Sequence, residues 1–292
     1  MSSAQLTMLS SMAAQDFKES LAVHKEWGLH WLDLRDGIYG NWIKDLDVET
    51  ARLAKKDIDE AGLEVYCIST SIFFDDIEKG EENFRQNHLA KVSHAIELAQ
   101  VFQPKVLRVI AAQMPSRADD ESAMDLIEQK YPWVIDVYRE AIDQINGAGF
   151  NPTIENEAFR CFLSRVEDFG RFFEALDREG SVALTWDVQN HWATGVFPTS
   201  EVYEQLKPLI HYYHVKGGQE DGTAARGLKW NVALEDADWP VTELTQKVVD
   251  DGVSPVICLN PAQHGEQKPD YNYDGIVKRD VDFLRSAVKG VE

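Results

Sequence analysis

Apolar residues follow two rhythms along this chain. Short β-prone runs alternate with longer stretches in which apolar positions recur every third or fourth residue, the period of a helix face. Leu6–Met12 reads as a first strand. Asp16–Trp27 reads as a helix, with Phe17, Leu21, Val23 and Trp27 at helical spacing and Gly28 as its stop signal. Further strands are expected at Leu29–Leu34, Leu63–Ser69, Val106–Ala111, Pro152–Glu155, Val182–Asp187, Ile210–Lys216 and Val256–Asn260. Helices are expected at Val48–Ala61, Phe84–Phe102, Tyr131–Gly147, Val166–Arg178, Glu201–Leu206, Val241–Asp251 and Tyr273–Val288. Asp36–Asp45, Phe73–Asn83 and the polar stretch after Gly217-Gly218 read as loops. Regular alternation of this kind means parallel strands joined by crossover helices. About eight such units in a chain of this length predict an α/β fold, a (β/α)₈ TIM barrel, as a single domain over residues 1–292.

That expectation gives the strand ends a meaning, because the active site of a (β/α)₈ barrel lies at the C-terminal ends of its strands. Glu155, Asp187, His214 and Asn260 all fall at such ends. Side chains alternate along a strand, so Tyr212, His214 and Lys216 share one face while His211 and Tyr213 share the other. The same parity groups Glu155 with Glu157 and Asn260 with Cys258. One Glu, one Asp and one His converging from separate strands make a hard-to-borderline divalent metal site. It suits Mn²⁺, Mg²⁺, Co²⁺ or Zn²⁺.

Composition narrows the ligand class. The net charge of −21, from 50 acidic and 29 basic residues, repels a phosphate backbone and argues against nucleic acid as the main partner. No run approaches the length of a membrane span, and the first residues lack the basic and apolar regions of a signal peptide, so a cytoplasmic protein is expected. The three cysteines, Cys67, Cys161 and Cys258, form no C-x-x-C pair, and the two in apolar strand-like runs read as buried free thiols. There is no Gly-rich dinucleotide fingerprint, P-loop, H-E-x-x-H or G-x-S-x-G motif. A small molecule is the expected partner; self-association is left open.

The motifs at the strand ends carry a resemblance. Ile-Glu-Asn-Glu (154–157), Trp-Asp-Val-Gln-Asn (186–190), His-Val-Lys (214–216) and Leu-Asn-Pro-Ala-Gln-His-Gly (259–265) occur in order after strands. Together they resemble the sugar phosphate isomerase/epimerase group of xylose-isomerase-like barrels. The resemblance implies Glu155, Asp187 and His214 as metal ligands, Mn²⁺ foremost, and Asn190 as a pocket residue. It also implies a fourth ligand and catalytic base, a Glu, where this chain has Asn260. In the third motif the relatives carry Asp where this chain has Gly217. The implied activity is isomerisation or epimerisation of a sugar or keto-sugar. A metal-dependent lyase or dehydratase working by β-elimination is the alternative, and a non-catalytic sugar binder a third.

Each residue also has a plainer reading. Glu155 and Asp187 are common helix or turn caps, and His214 would do as a core histidine. Asn260 reads as a neutral ligand through its amide oxygen, as the mark of altered catalysis, or as an introduced change. Arg108 suits substrate oxygens or an ion pair, and Lys216 a carbonyl or a solvated strand end. His191 and Trp192, after the Asp187 motif, suit a sugar face or packing, as do Trp42, Phe73 and Phe74. Arg226 and His264 sit on loops from which they would reach the mouth, His264 (or Glu266) to complete a metal shell.

Overall fold

The computed structural model describes residues 2–158, 160–223, 227–230, 232–261 and 274–292, with only the backbone at 274. Eight strands form one sheet: β1 Gln5–Met8, β2 Trp31–Leu34, β3 Glu64–Ser69, β4 Val106–Ile110, β5 Asn151–Glu155, β6 Ala183–Asp187, β7 Ile210–Val215 and, after a small antiparallel hairpin (β8 Gln219–Glu220 and β9 Leu228–Lys229), β10 Val256–Leu259. All pairings in the large sheet are parallel, in the order β1-β10-β7-β6-β5-β4-β3-β2. A parallel bridge from Leu9 to Asp33 brings the two outer strands together, so the sheet curls into a nearly closed barrel.

Helices surround it. They are α1 Phe17–Glu26, α2 Val48–Ala61, α3 Glu81–Asn87, α4 Val92–Phe102, α5 Ala123–Lys130, α6 Trp133–Gly147, α7 Val166–Leu176, α8 Val188–Ala193, α9 Ser200–Leu206, α10 Val241–Asp251 and α11 Arg279–Ala287. Their starts are set by polar caps: Asp16, Asp47, Ser122 and Thr199 each accept a backbone N–H three residues on, satisfying donors that a helix start leaves orphaned. The outer helices pack in sequence, α2 on α4, α4 on α6, α6 on α7 and α7 on α9. No helix among the described residues is long and apolar enough to cross a membrane.

Strand parity divides the core into two layers. Along β6, Trp186 points to the helices, where its ring meets Tyr213 at 5.6 Å and Tyr203 of α9 at 6.2 Å. Its neighbour Thr185 faces inward and donates to Thr153 of β5 at 2.7 Å. The inner layer is unusually polar: Thr7, Asp33, Arg108, Thr153, Glu155, Thr185, Asp187 and His214 are all buried. Burying such groups is costly unless they are paired, so a polar lining of this kind points to a site.

The chain departs from the sequence expectation in several places. The first strand stops at Met8 and gives way to a 3₁₀ turn, Ser10–Met12. The long helix expected over Phe84–Phe102 breaks at His88, whose imidazole Nδ1 accepts the Phe73 N–H at 2.9 Å. Holding the β3–α3 loop in this way takes His88 out of helical geometry (φ −125°, ψ −59°), and a 3₁₀ turn follows before α4. The acidic segment before Tyr131 contains α5, and the supposed loop after Asp187 is α8. Phe73 is fully buried between Phe84 and Tyr138, in the core and not in a pocket.

Candidate metal centre

Register brings the strand ends together. Asp187 of β6 pairs with His214 of β7, His214 pairs with Cys258 of β10, and Glu155 ends β5 next to β6. Ligand atoms of Glu155, Asp187 and His214 lie within 4.8 Å of one another, and all three side chains are buried. His214 Nδ1 stands 3.1 Å from Glu155 Oε1, yet neither ring nitrogen completes a hydrogen bond among the described residues. An imidazole with unused nitrogens beside two buried carboxylates fits a divalent cation. The donor set, one nitrogen and oxygens, is that of Mn²⁺, Mg²⁺, Co²⁺ or Zn²⁺.

The plainer reading of Asp187 is also realised. Its Oδ1 accepts the Asn190 N–H at 2.9 Å and caps α8, which leaves Oδ2 to face the site. Lys216 Nζ is 2.8 Å from that Oδ2 and donates to Asn190 Oδ1 at 3.0 Å. Asn260 is 7% exposed, and its Nδ2 donates to the same Asp187 oxygen at 3.3 Å. Arg108 faces Glu155 from β4, its Nη1 donating to Oε2 while Nη2 donates to the Thr70 carbonyl at 2.8 Å. Two cations therefore lean on two of the three donor residues from the flanks.

The carboxyls respond in opposite senses. Burial works to raise Glu155, but the Arg108 guanidinium, with the His214 contact adding to it, outweighs burial and holds the group well below its ordinary range. Burial raises Asp187, the Glu155 charge adds to this, and Lys216 only partly offsets it. Glu157, half-buried on the same parity as Glu155, is pushed up to about 7 by burial and then by the Glu155 charge.

Other sequence candidates are dispersed. Asn190 lies at the site, bonded to Lys216 and to the Asn156 carbonyl. His191 turns away: it is 1% exposed, accepts Trp186 Nε1–H at 3.3 Å and packs on Phe169, so it belongs to the helix-facing layer. Burial there lowers it to about 4. Trp192 is buried, its ring nearly perpendicular to that of Phe197 with centroids 5.2 Å apart. Trp42 is 45% exposed under the Arg35 guanidinium, 5.6 Å from its ring centre. Arg226, His264 and Glu266 lie outside the described residues.

Gly217 explains one departure from the family motif. A Cβ there would fall 2.1 Å from the Val232 carbonyl oxygen, so the returning chain leaves no room for a side chain at this position. Several partners escaped the sequence reading. Asn156 clamps β6 from both sides, donating to the Asp187 carbonyl and accepting the Asp187 N–H, each at 2.9 Å. Gln189 is buried and donates to the Gly217 carbonyl. Asp33 lies behind His214, 3.7 Å from Nε2. Asn156 was visible inside Ile-Glu-Asn-Glu; Asp33 carries no local signal, because only barrel closure puts β2 opposite β7.

Solved structures share this architecture. A probable 3-DHS dehydratase, AsbF, from Bacillus anthracis superposes with a TM-score of 0.70 at 16% identity, covering 97% of this chain and 98% of that one. D-psicose 3-epimerase from Clostridium cellulolyticum H10, solved with D-tagatose, gives 0.71 at 11% identity with 99% of each chain covered. A xylose isomerase-like TIM barrel protein from Mycobacterium smegmatis, solved with magnesium, gives 0.66 at 17%, covering 99% of this chain and 98% of that one. At these identities the likeness speaks for the fold. No curated protein matches the chain. The family model of the xylose isomerase-like TIM barrel matches residues 21–287, and the chain belongs to that family.

Proposed function

We propose that this chain is a divalent-metal-dependent isomerase or epimerase of a sugar or keto-sugar. The observation that carries the reading is the buried convergence of Glu155, Asp187 and His214 at the C-terminal ends of β5, β6 and β7. These three residues would hold the ion, Mn²⁺ by preference, with Asn260 beside them as a neutral fourth donor. When bound, such an ion supplies Lewis acidity toward a carbonyl and its neighbouring hydroxyl, which acidifies the carbon-bound proton between them.

The chain's own groups do the rest. Lys216, anchored between Asp187 and Asn190, presents an ammonium to a substrate oxygen. Arg108 keeps Glu155 ionised and fixed in direction. Proton transfer falls to the carboxylates on the β5 face, Glu155 first and then Glu157. Asn260 cannot take a proton, so the site lacks the facing pair that moves a proton from one side of a carbon to the other. This favours one-sided chemistry, and a lyase or dehydratase acting by β-elimination on a keto-sugar or keto-glycoside is the second reading.

The test is turnover of a keto-sugar panel by Mn²⁺-loaded protein in D₂O, followed by NMR, with metal content measured in parallel. An isomerase or epimerase incorporates solvent deuterium, and a lyase releases water or an aglycone. Saturable sugar binding without either would overturn the enzymatic reading. Asn260→Glu is expected to raise epimerase turnover at least about tenfold, since a general base is typically worth about 10²–10⁴.

A further inference from the structure

We infer that Asp33, a β2 residue outside the predicted ligand set, is the positioning residue for His214. It fixes which ring nitrogen faces the metal and supplies negative charge from behind the ligand. The inference rests on the metal reading of Glu155, Asp187 and His214.

His214 has one carboxylate on each side. Nδ1 faces Glu155 Oε1 at 3.1 Å, and Nε2 faces Asp33 Oδ2 at 3.7 Å. A neutral imidazole carries a single N–H, and only the bare nitrogen can bind a cation. With the proton on Nε2, the N–H dipole points at Asp33 and the Nδ1 lone pair points into the donor set. With an ion on the Nδ1 side that lone pair is used, whereas the other tautomer would leave the Nε2 lone pair against the Asp33 carboxylate. At 3.7 Å the Asp33 contact is longer than a hydrogen bond and acts as a charge facing the ring nitrogen.

Asp33 is itself held. Tyr212 O–H donates to its Oδ2 at 2.8 Å, and its backbone bridges to Leu9 where the barrel closes. The Tyr212 ring meets the His214 ring edge-on, with centroids 4.5 Å apart, which limits rotation of the imidazole. Asp33 is fully buried, and its Oδ1 has no hydrogen-bond partner among the described residues. It is therefore placed to orient a ligand and not to touch substrate. A carboxylate behind a ligating imidazole is a recurrent way of raising the ligand's basicity and setting its direction. Here it also offsets the charge that Asn260 does not bring.

A rival arrangement shares the same atoms. Asp33, His214 and Cys258 also present ligand atoms within 4.8 Å of one another, so an ion on the Nε2 side would be held by the thiolate. The two arrangements require opposite tautomers and give different spectra.

The experiment uses the full chain, ¹⁵N-histidine labelling, and titration with Mg²⁺, Mn²⁺ and Co²⁺. Wild type is expected to show His214 with the proton on Nε2 when Mg²⁺ is bound, and Co²⁺ bands without a thiolate charge-transfer band. Asp33→Asn should weaken Mn²⁺ about 10–100-fold, the usual effect of losing such a partner, and should shift the tautomer toward Nδ1–H. Tyr212→Phe, which leaves the carboxylate but frees it, should give a smaller shift in the same direction and serves if Asp33→Asn does not fold. Unchanged Mn²⁺ affinity with an unchanged tautomer in both variants would overturn the inference while leaving the metal reading intact. A thiolate band that Cys258→Ser removes would also overturn it, placing the ion on the Nε2 side. If wild type bound no ion and Asp187→Ala changed nothing, the metal reading would fall. The inference rests on that reading and would fall with it.

Discussion

Changing Asn260 to Glu places two carboxylates face to face, and the consequence for stability depends on whether metal is present. Asn260 Nδ2 now lies 3.3 Å from Asp187 Oδ2, both residues being buried. Two like charges about 4 Å apart repel by about 4 kcal/mol at an effective dielectric near 20. The lost amide hydrogen bond adds about 1 kcal/mol. Lys216, 2.8 Å from the same Asp187 oxygen, takes back part of this. A net destabilisation of roughly 3 kcal/mol is expected for the metal-free protein. At about 2–4 °C per kcal/mol for a domain of this size class, Tm in EDTA falls by roughly 6–12 °C. In excess Mn²⁺ the added anion becomes attractive. A hundredfold gain in affinity returns about 2.7 kcal/mol by linkage, so the two forms should melt close together. The assay is thermal unfolding of wild type and Asn260→Glu in EDTA and in Mn²⁺. Coincident melting in EDTA, with equal Mn²⁺-induced shifts, would show that residue 260 faces neither Asp187 nor a metal.

Further outcomes follow from other contacts. Arg108→Met strips the buried Glu155 of its ion-pair partner and should cost roughly 3–5 kcal/mol in EDTA; Mn²⁺ should restore much of it, and a denaturation midpoint indifferent to Mn²⁺ would place the cation elsewhere. Gly217→Asp, which rebuilds the relatives' motif, should destabilise by about 1–3 kcal/mol or more, because its Cβ meets the Val232 carbonyl; a neutral urea midpoint would mean that the returning chain yields freely. His24, fully buried with its Nδ1–H donating to the Ser20 carbonyl at 2.8 Å, is lowered to about 4 by burial. The unfolded chain takes up this proton near pH 6.5 and the folded one only near 4, so stability is whole above about pH 6.5 and falls by up to about 3 kcal/mol toward pH 4. His24→Asn should flatten the pH slope of the urea midpoint by up to one proton, and an unaltered slope would refute the assignment.

The barrel was legible because periodicity reports which face a residue buries, and crossover units repeat that signal. Val48–Ala61 and Val241–Asp251 were read to the residue, since each begins at a clear boundary and ends at a glycine in the left-handed conformation. The break at His88 was not legible, for its cause is a hydrogen bond to Phe73 across a loop, and local propensity favours continuing the helix. Within the site, Glu155, Asp187, His214 and Lys216 announced themselves as strand-end polar residues of matching parity. His191 followed the Asp187 motif and suited a sugar face or packing; α8 turns it outward against Trp186, which is the packing reading. Asp33 sits in Trp-Leu-Asp-Leu, an ordinary short strand, and its meaning comes from a partner near the other end of the chain.

Asn260 acquires a physical sense when the charges around His214 are taken together. Glu155, Asp187 and Asp33 are countered by Arg108 and Lys216, which leaves about one net negative charge in a buried space. With Glu at position 260 the metal-free site would carry about two, and a dication would neutralise it. With Asn, the same dication leaves the loaded site about one unit positive. In a low-dielectric interior that surplus lowers the energy of any negative charge developing on substrate oxygens, and it does so at the expense of holding the ion. On the proposed metal reading the exchange would be affinity for acidity, and the ion would have to be retained by something other than a fourth carboxylate. Asp33, held by Tyr212 behind His214, would then supply the missing charge from outside the donor set.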